Sequence, residues 1–284
     1  MNIFKIAAYS FVTLGLWPGL ACLETVWAAE DAAGEPRVLT LEQSGELYLP
    51  SKDPMADITK TIASARGNGK LVLVVMGANW CHDSRALAAR LYQPPLHSMI
   101  NEHYEIVFVD VGYLDKGKDV ISSLGVPVYY ATPTVLIVDP VSRQLVNRDN
   151  RHLWADAYNI SMDESVDYFR LMTRTDLVPL RSASDPGENL QKIMSDIDAF
   201  EKRQAKRIYA AYAVLGPMLR AYENDDAPAL FDQTWNEVRD FRYKVAADID
   251  TLRSDALAQA IAGETDISLD YPEYATFSWE TAGQ

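Results

Sequence analysis

"LVLVVMGANWCHDSRALAARLY", residues 71–92, sets two patterns end to end. Leu71 to Ala78 is an unbroken aliphatic run, which is how a strand covered on both faces reads. "SRALAARLY", which follows Cys81, has the composition of a helix. Cys81 therefore stands where a helix leaves the end of a buried strand. The first turn of a helix carries unpaired amides and the positive end of the dipole, both of which favour a thiolate. Cysteines so placed titrate at roughly 3.5 to 7.5. His82, when protonated, works in the same direction and Asp83 against it, and the expectation is a net depression. A protein that makes and breaks its own disulfide needs a second sulfur close by; three positions on stands Ser84.

Working outward, "KDPMADITKTIASARGNGK" (52–70) predicts a helix. Asp53 caps its start, Pro54 suits its first turn, Gly67 to Gly69 end it, and Ile58, Ile62 and Ala65 form its apolar stripe. "EIVFVDV" (105–111) reads as a second buried strand, "DKGKDVISSLG" as a short helix, and "PTVLIVDP" (133–140) as a third strand. "VSRQLVN" then reads as its hairpin partner. In "SMDESVDYFRLMTR", Ser161 and Glu164 make a capping box, and Met162, Val166, Phe169 and Met172 form the inner face. Alternating strands and helices indicate an α/β layer on a mixed sheet, over residues 50–177.

The remainder is helical. Leu190, Ile193, Ile197, Phe200, Ile208, Tyr212, Leu215 and Leu219 recur at helical spacing, with Gly216-Pro217 expected to kink the helix near its end. Phe231, Trp235, Val238, Val245, Ile249 and Leu252 form a second series. Two long helices with a short loop between them predict an antiparallel hairpin over 185–263, packed on itself or on the α/β layer. "EKRQAKR" (201–207) reads as a solvated basic cluster on it. The tail 264–284 is acidic and aromatic, and reads as an extended segment on the surface or a partly disordered one.

"ANWCHDS" resembles the active-site turn of the thioredoxin superfamily, and "ATPTVLIVD" resembles the other half of that site. The resemblance covers roughly 50–177; the helical hairpin is not part of it. It implies a thioredoxin-like mixed sheet flanked by helices, with Trp80, Cys81, His82 and Ser84 at the reactive turn. It also implies that Pro133 is in the cis state facing the cysteine. Thr132, with Pro133 and Tyr130, would then receive an extended client peptide as an added strand. Two departures bear on activity. Ser84 replaces the second cysteine, and Val75 aligns with the buried acid that serves it, so an efficient dithiol reductase is not expected. Cys81 can still attack a disulfide, and release of the mixed disulfide falls to a client thiol or a separate reductant. The alternative is a redox-inactive binding or chaperone-like module, using the groove near Pro133, Tyr129 and Tyr130 or the hairpin.

The chain has 284 residues and a formal net charge of −14, which argues against nucleic-acid partners. Residues 1–28 read as a signal peptide: Lys5, an apolar stretch broken by Pro18 and Gly19, and cleavage after Ala28. A retained N-terminal anchor is the other reading of that stretch, and "GLAC" is an imperfect lipidation signal at Cys22. Residues 29–49 read as an extended lead-in. Cleavage would leave Cys81 as the mature chain's single cysteine, with no disulfide framework, in the periplasm, and with no membrane span. His82, His97, His103 and His152 show no metal-ligand spacing, "GNGK" is a turn rather than a phosphate loop, and no cofactor is expected.

Overall fold

The structure, a computed structural model, describes residues 43, 47–148, 153–173, 187–264 and 266–281. The leader 1–28 with Cys22, most of the 29–49 lead-in, His152 and residues 174–186 lie outside the described residues. Helix α1 (Pro54–Asn68) is followed by β1 (Leu71–Gly77), α2 (His82–Leu91), α3 (Leu96–His103) and β2 (Tyr104–Asp110). Then come α4 (Lys118–Ser123), β3 (Thr134–Val138), a 3-10 turn (Leu153–Asp156) and α5 (Met162–Met172). The long helices α6 (Gly187–Tyr222) and α7 (Phe231–Ile261) follow, and a last turn, α8 (Ser278–Thr281).

β1 is the central strand of a mixed sheet in the order β2-β1-β3. It runs parallel to β2, from Leu71 opposite Tyr104 to Gly77 opposite Asp110. It runs antiparallel to β3, from Val72 opposite Val138 to Met76 opposite Thr134. Alternate side chains of a strand face opposite ways, and here both faces are apolar because both are covered. Val72, Val74 and Met76 pack with α1, α4 and the two long helices, while Leu73 and Val75 pack with α2, α3 and α5. Val75 is thus an apolar core residue of the second face.

The helix ends expected from sequence are built as read. The Asp53 side chain accepts from the Ala56 amide, Pro54 opens α1, and Gly69 ends it in the left-handed region at φ 70°. Ser161 and Glu164 form the reciprocal capping box of α5. Three expectations need correction. β2 has half-buried residues over 105–108, because among the described residues only β1 flanks it. The proposed hairpin partner of β3 is reduced to one bridge, Val138 to Leu145. There the Asn147 side chain takes over: it accepts from the Ile137 amide at 2.8 Å and donates to the Val135 carbonyl at 2.9 Å, satisfying the edge without a strand. The "EKRQAKR" stretch is a solvated face only in part: Lys202, Arg203 and Lys206 are exposed, while Glu201 and Ala205 are buried.

α6 and α7 pack against each other and share one continuous core with the first face of the sheet. Gly216 lies within α6 where a Cβ would collide with the Tyr113 carbonyl oxygen, so only glycine allows the helix this close to the α/β layer. The tail from Asp266 onward folds back on the hairpin. Ile267 and Phe277 are buried, and Arg207 donates to the Ala275 carbonyl while lying over the Phe241 and Phe277 rings. No helix of the described residues is long and apolar enough to cross a membrane.

Candidate functional site

Cys81 is the N-cap residue of α2, in extended conformation, with its carbonyl accepting from the Arg85 amide at 3.1 Å. The strand ends at Gly77, and a tight turn in which the Cys81 amide donates to the Ala78 carbonyl delivers the cysteine to the helix start. Cys81 is 8 % exposed, and its thiol donates to the Thr132 carbonyl at 3.1 Å. The Thr132–Pro133 peptide is cis, and the Thr134 hydroxyl pins the loop by donating to the Ala131 carbonyl at 2.7 Å. The two segments singled out from sequence, 80–84 and 130–133, therefore meet at the sulfur.

The other residues of the turn point elsewhere. Ser84 is fully buried, and its hydroxyl oxygen is 3.4 Å from the Ala78 amide it accepts from, in the seam between β1 and α2 rather than at the sulfur. Its carbonyl accepts from the Tyr48 hydroxyl at 3.0 Å. Burial, then the nearby Cys81 charge, raises the Tyr48 hydroxyl well above its ordinary value, against the opposing hydrogen bond to Ser84. His82 is exposed; its Nε2 is 3.3 Å from Asp83 Oδ2 and its ring lies beside Tyr158. Asp83 is in turn held by the Tyr158 amide at 2.9 Å, so the His82–Asp83 pair serves the junction with the 3-10 turn.

The groove expected to take a client peptide is roofed by the long helices. Trp80 donates from Nε1 to the Gly112 carbonyl at 2.8 Å and meets Trp235 of α7 edge-on, with ring centroids 6.1 Å apart. The Tyr129 carbonyl accepts from the Tyr212 hydroxyl of α6 at 2.8 Å, and the two rings stack. Tyr130 is buried and donates to Glu201 Oε1 at 2.8 Å. Glu201, 1 % exposed, is also paired with Arg253 of α7 at 2.9 Å, and Arg253 with Asp198 at 2.7 Å. Thr132, the position implied to lend its backbone to a peptide, is buried with its carbonyl on the Cys81 thiol. Among the described residues, no group of three or more histidine, cysteine or acidic side chains could hold a metal ion.

Arg242 of α7 lies beside Trp235, which meets Trp80. It is 4 % exposed, its guanidinium lies 5.7 Å from the centroid of the Trp235 ring, and its Nε and Nη1 have no hydrogen-bond partner. Burial works against its charge. The Tyr212 and Tyr243 hydroxyls, a hydrogen bond to Tyr212 and the Cys81 sulfur together outweigh that, and its value is raised. Sequence reading left out Glu201, Tyr212, Trp235 and Arg242 as site residues. The available signal was a charge on an apolar stripe: Arg242 follows Val238 by four and precedes Val245 by three, and Glu201 follows Ile197 by four.

Residues 53–140 match the family model described as thioredoxin-like, a span that ends just after β3 and contains both halves of the site. The α/β part is a thioredoxin-like domain, its mixed sheet flanked by helices and followed by the helical hairpin. A disulphide isomerase from Xylella fastidiosa Temecula1, known from its crystal structure, is similar at 28 % identity. That similarity covers 45 % of this chain and 96 % of that one, with a TM-score of 0.42. No curated protein was found to match the chain.

Proposed function

We propose that this chain is an exported, monothiol thioredoxin-like protein that forms mixed disulfides with client proteins through Cys81. The observation that carries the reading is the thiol at a helix start, 3.1 Å from the carbonyl that precedes a cis proline, inside a thioredoxin-like segment. Cys81 as thiolate attacks a client disulfide. One S–S bond breaks as another forms, and the displaced client sulfur leaves as thiolate. Ser84 has no sulfur with which to resolve the adduct, so a second client thiol or a separate reductant must release it. The first gives isomerisation, the second capture and reduction.

Export through residues 1–28, with the periplasm as destination, is part of the same proposal, supported by the apolar leader and its Ala-rich exit. N-terminal sequencing of envelope-derived protein should begin at Ala29; a lipid-modified Cys22 would replace that reading with anchoring.

One observation favours a second reading, a redox-inactive binding module: Trp235, Tyr212 and Glu201 cover the groove that a client would enter. Mass spectrometry of adducts formed in the native compartment decides between the two. Disulfide-linked clients recovered with the native chain and absent with Cys81→Ser support thiol exchange. Equal recovery of clients by non-covalent capture with both chains, and no Cys81-linked adduct, overturns it in favour of the binding module.

A further inference from the structure

We infer that Glu201 is a positioning residue for the reactive thiol, acting through Tyr130 on the loop that carries the Thr132 carbonyl. This rests on Cys81 being the reacting thiol, and goes beyond the thioredoxin-like segment, because Glu201 lies on α6 of the hairpin. The contact to be held is the hydrogen bond from Cys81 Sγ to the Thr132 carbonyl, 3.1 Å long. Only the thiol can make it, since a thiolate has no proton to donate. A thiolate turns instead to the first-turn amides of α2, the helix that Cys81 caps. Where the Thr132 carbonyl sits therefore decides how firmly the sulfur keeps its proton.

The loop is tied at successive residues. The Tyr129 carbonyl accepts from the Tyr212 hydroxyl of α6 at 2.8 Å. The Tyr130 hydroxyl, two residues before Thr132, donates to Glu201 Oε1 at 2.8 Å within the core. The Ala131 carbonyl accepts from the Thr134 hydroxyl at 2.7 Å. Two of these ties come from α6, outside the thioredoxin-like span 53–140. The Glu201 tie is the strongest by chemistry, because a hydrogen bond to a carboxylate is roughly twice as strong as one between neutral groups. Its acceptor is held in place: Glu201 is 1 % exposed and paired with Arg253 at 2.9 Å, and Arg253 meets Asp198 at 2.7 Å. Burying an ion pair carries a desolvation cost that apolar side chains of the same volume avoid, but apolar contacts do not fix a register. Here the buried pair places an anion against one hydroxyl of the loop that meets the sulfur.

The S–H stretching band of Cys81 tests this in the full chain without a client. Raman spectra, with the Cys81→Ser spectrum subtracted, read whether the thiol donates to a carbonyl, since a donated S–H vibrates at lower frequency than a free one. The band of the parent chain should lie at the low, hydrogen-bonded position. Tyr130→Phe keeps the ring and removes only the donor oxygen. There the band should move up toward the free position, and iodoacetamide alkylation at neutral pH should run roughly threefold or more faster. Glu201→Gln keeps an acceptor for Tyr130 and should give a smaller shift in the same direction. Glu164→Ala, which undoes the capping box of α5 on the other face of the sheet, should leave the band in place. An unmoved band in folded Tyr130→Phe overturns the proposal, as does an equal shift in Glu164→Ala, or a moved band with an unchanged alkylation rate. A shift confined to Glu201→Gln overturns it too, because the carboxylate would then act by a route other than Tyr130. Should Tyr130→Phe not fold, Tyr212→Phe, which frees the Tyr129 carbonyl, decides by the same two readings. Clients trapped on Cys81 alongside an unmoved band remove only this inference; a moved band with no trapped client removes only the client reading.

Discussion

Gly77, the last residue of β1, is held to glycine by what surrounds it. A Cβ there would lie 2.5 Å from Tyr48 Cε1 and 2.6 Å from Ser84 Oγ. Those two side chains seat the start of α2, and Cys81 is the cap of that helix. Gly77→Ala should therefore cost about 1–3 kcal/mol of stability, the range for overfilling a packed interior. Thermal unfolding reads this as a lowered Tm, and Cys81 alkylation should change with it, since the helix start moves. A variant as stable as the parent would show that Tyr48 and Ser84 can yield, and that they do not fix the turn. Ser84 itself illustrates what a residue's type conceals. Its place three positions after the cysteine suggests partnership with the sulfur, yet its oxygen accepts from the Ala78 amide behind the turn. A hydroxyl can satisfy itself in many directions, and the pattern names the residue without naming its rotamer.

At the scale of elements, the capping box of α5 has a definite pH signature. The hydrogen bond from the Ser161 hydroxyl, followed by that from the Ser161 amide, holds the Glu164 carboxyl below the usual glutamate value. The folded state therefore binds fewer protons than the unfolded one in that range. Its contribution is complete above the ordinary glutamate range and disappears as pH falls through the lower folded-state value. Denaturation of Glu164→Ala should show a stability gap from the parent that is full near neutral pH and narrows as the pH falls below the ordinary glutamate range. A gap independent of pH would mean that the carboxylate charge plays no part. Helix boundaries of this kind were legible because capping is local: Asp53, Gly69, Ser161 and Glu164 act within three or four residues. The missing fourth strand was not legible, because "VSRQLVN" has the alternation of a strand. What decides is the Asn147 amide reaching Ile137 and Val135, which the pattern treats as a mere polar position.

On the scale of the whole molecule, the hairpin is both half of the core and the cover of the site. Its apolar stripes were visible in the spacing of Ile197, Ile208, Tyr212, Val238, Val245 and Ile249, all buried. Which surface those stripes cover was not, because helical periodicity reports a face and not its partner. Tertiary placement turns Glu201 from one charge in a polar run into the buried link between Tyr130, beside the cis proline, and Arg253 of α7. Removing Arg253 takes the cation from a carboxylate that is 1 % exposed, which costs about 3 kcal/mol. The hairpin should then leave the α/β layer more often, and a bulky reagent measures that better than a small one. In the parent chain, Cys81 should react with N-ethylmaleimide far faster than with the same maleimide carried on a long polyethylene glycol. In Arg253→Met the bulky reagent should gain at least roughly tenfold, while the small one gains less, since about 1.4 kcal/mol of eased opening is a factor of ten. Equal gains for both reagents would mean that Cys81 is guarded by its own loop. No gain for either, in a variant shown to be destabilised, would mean that the hairpin gives way without uncovering the sulfur, and a protein client would then have no route to it.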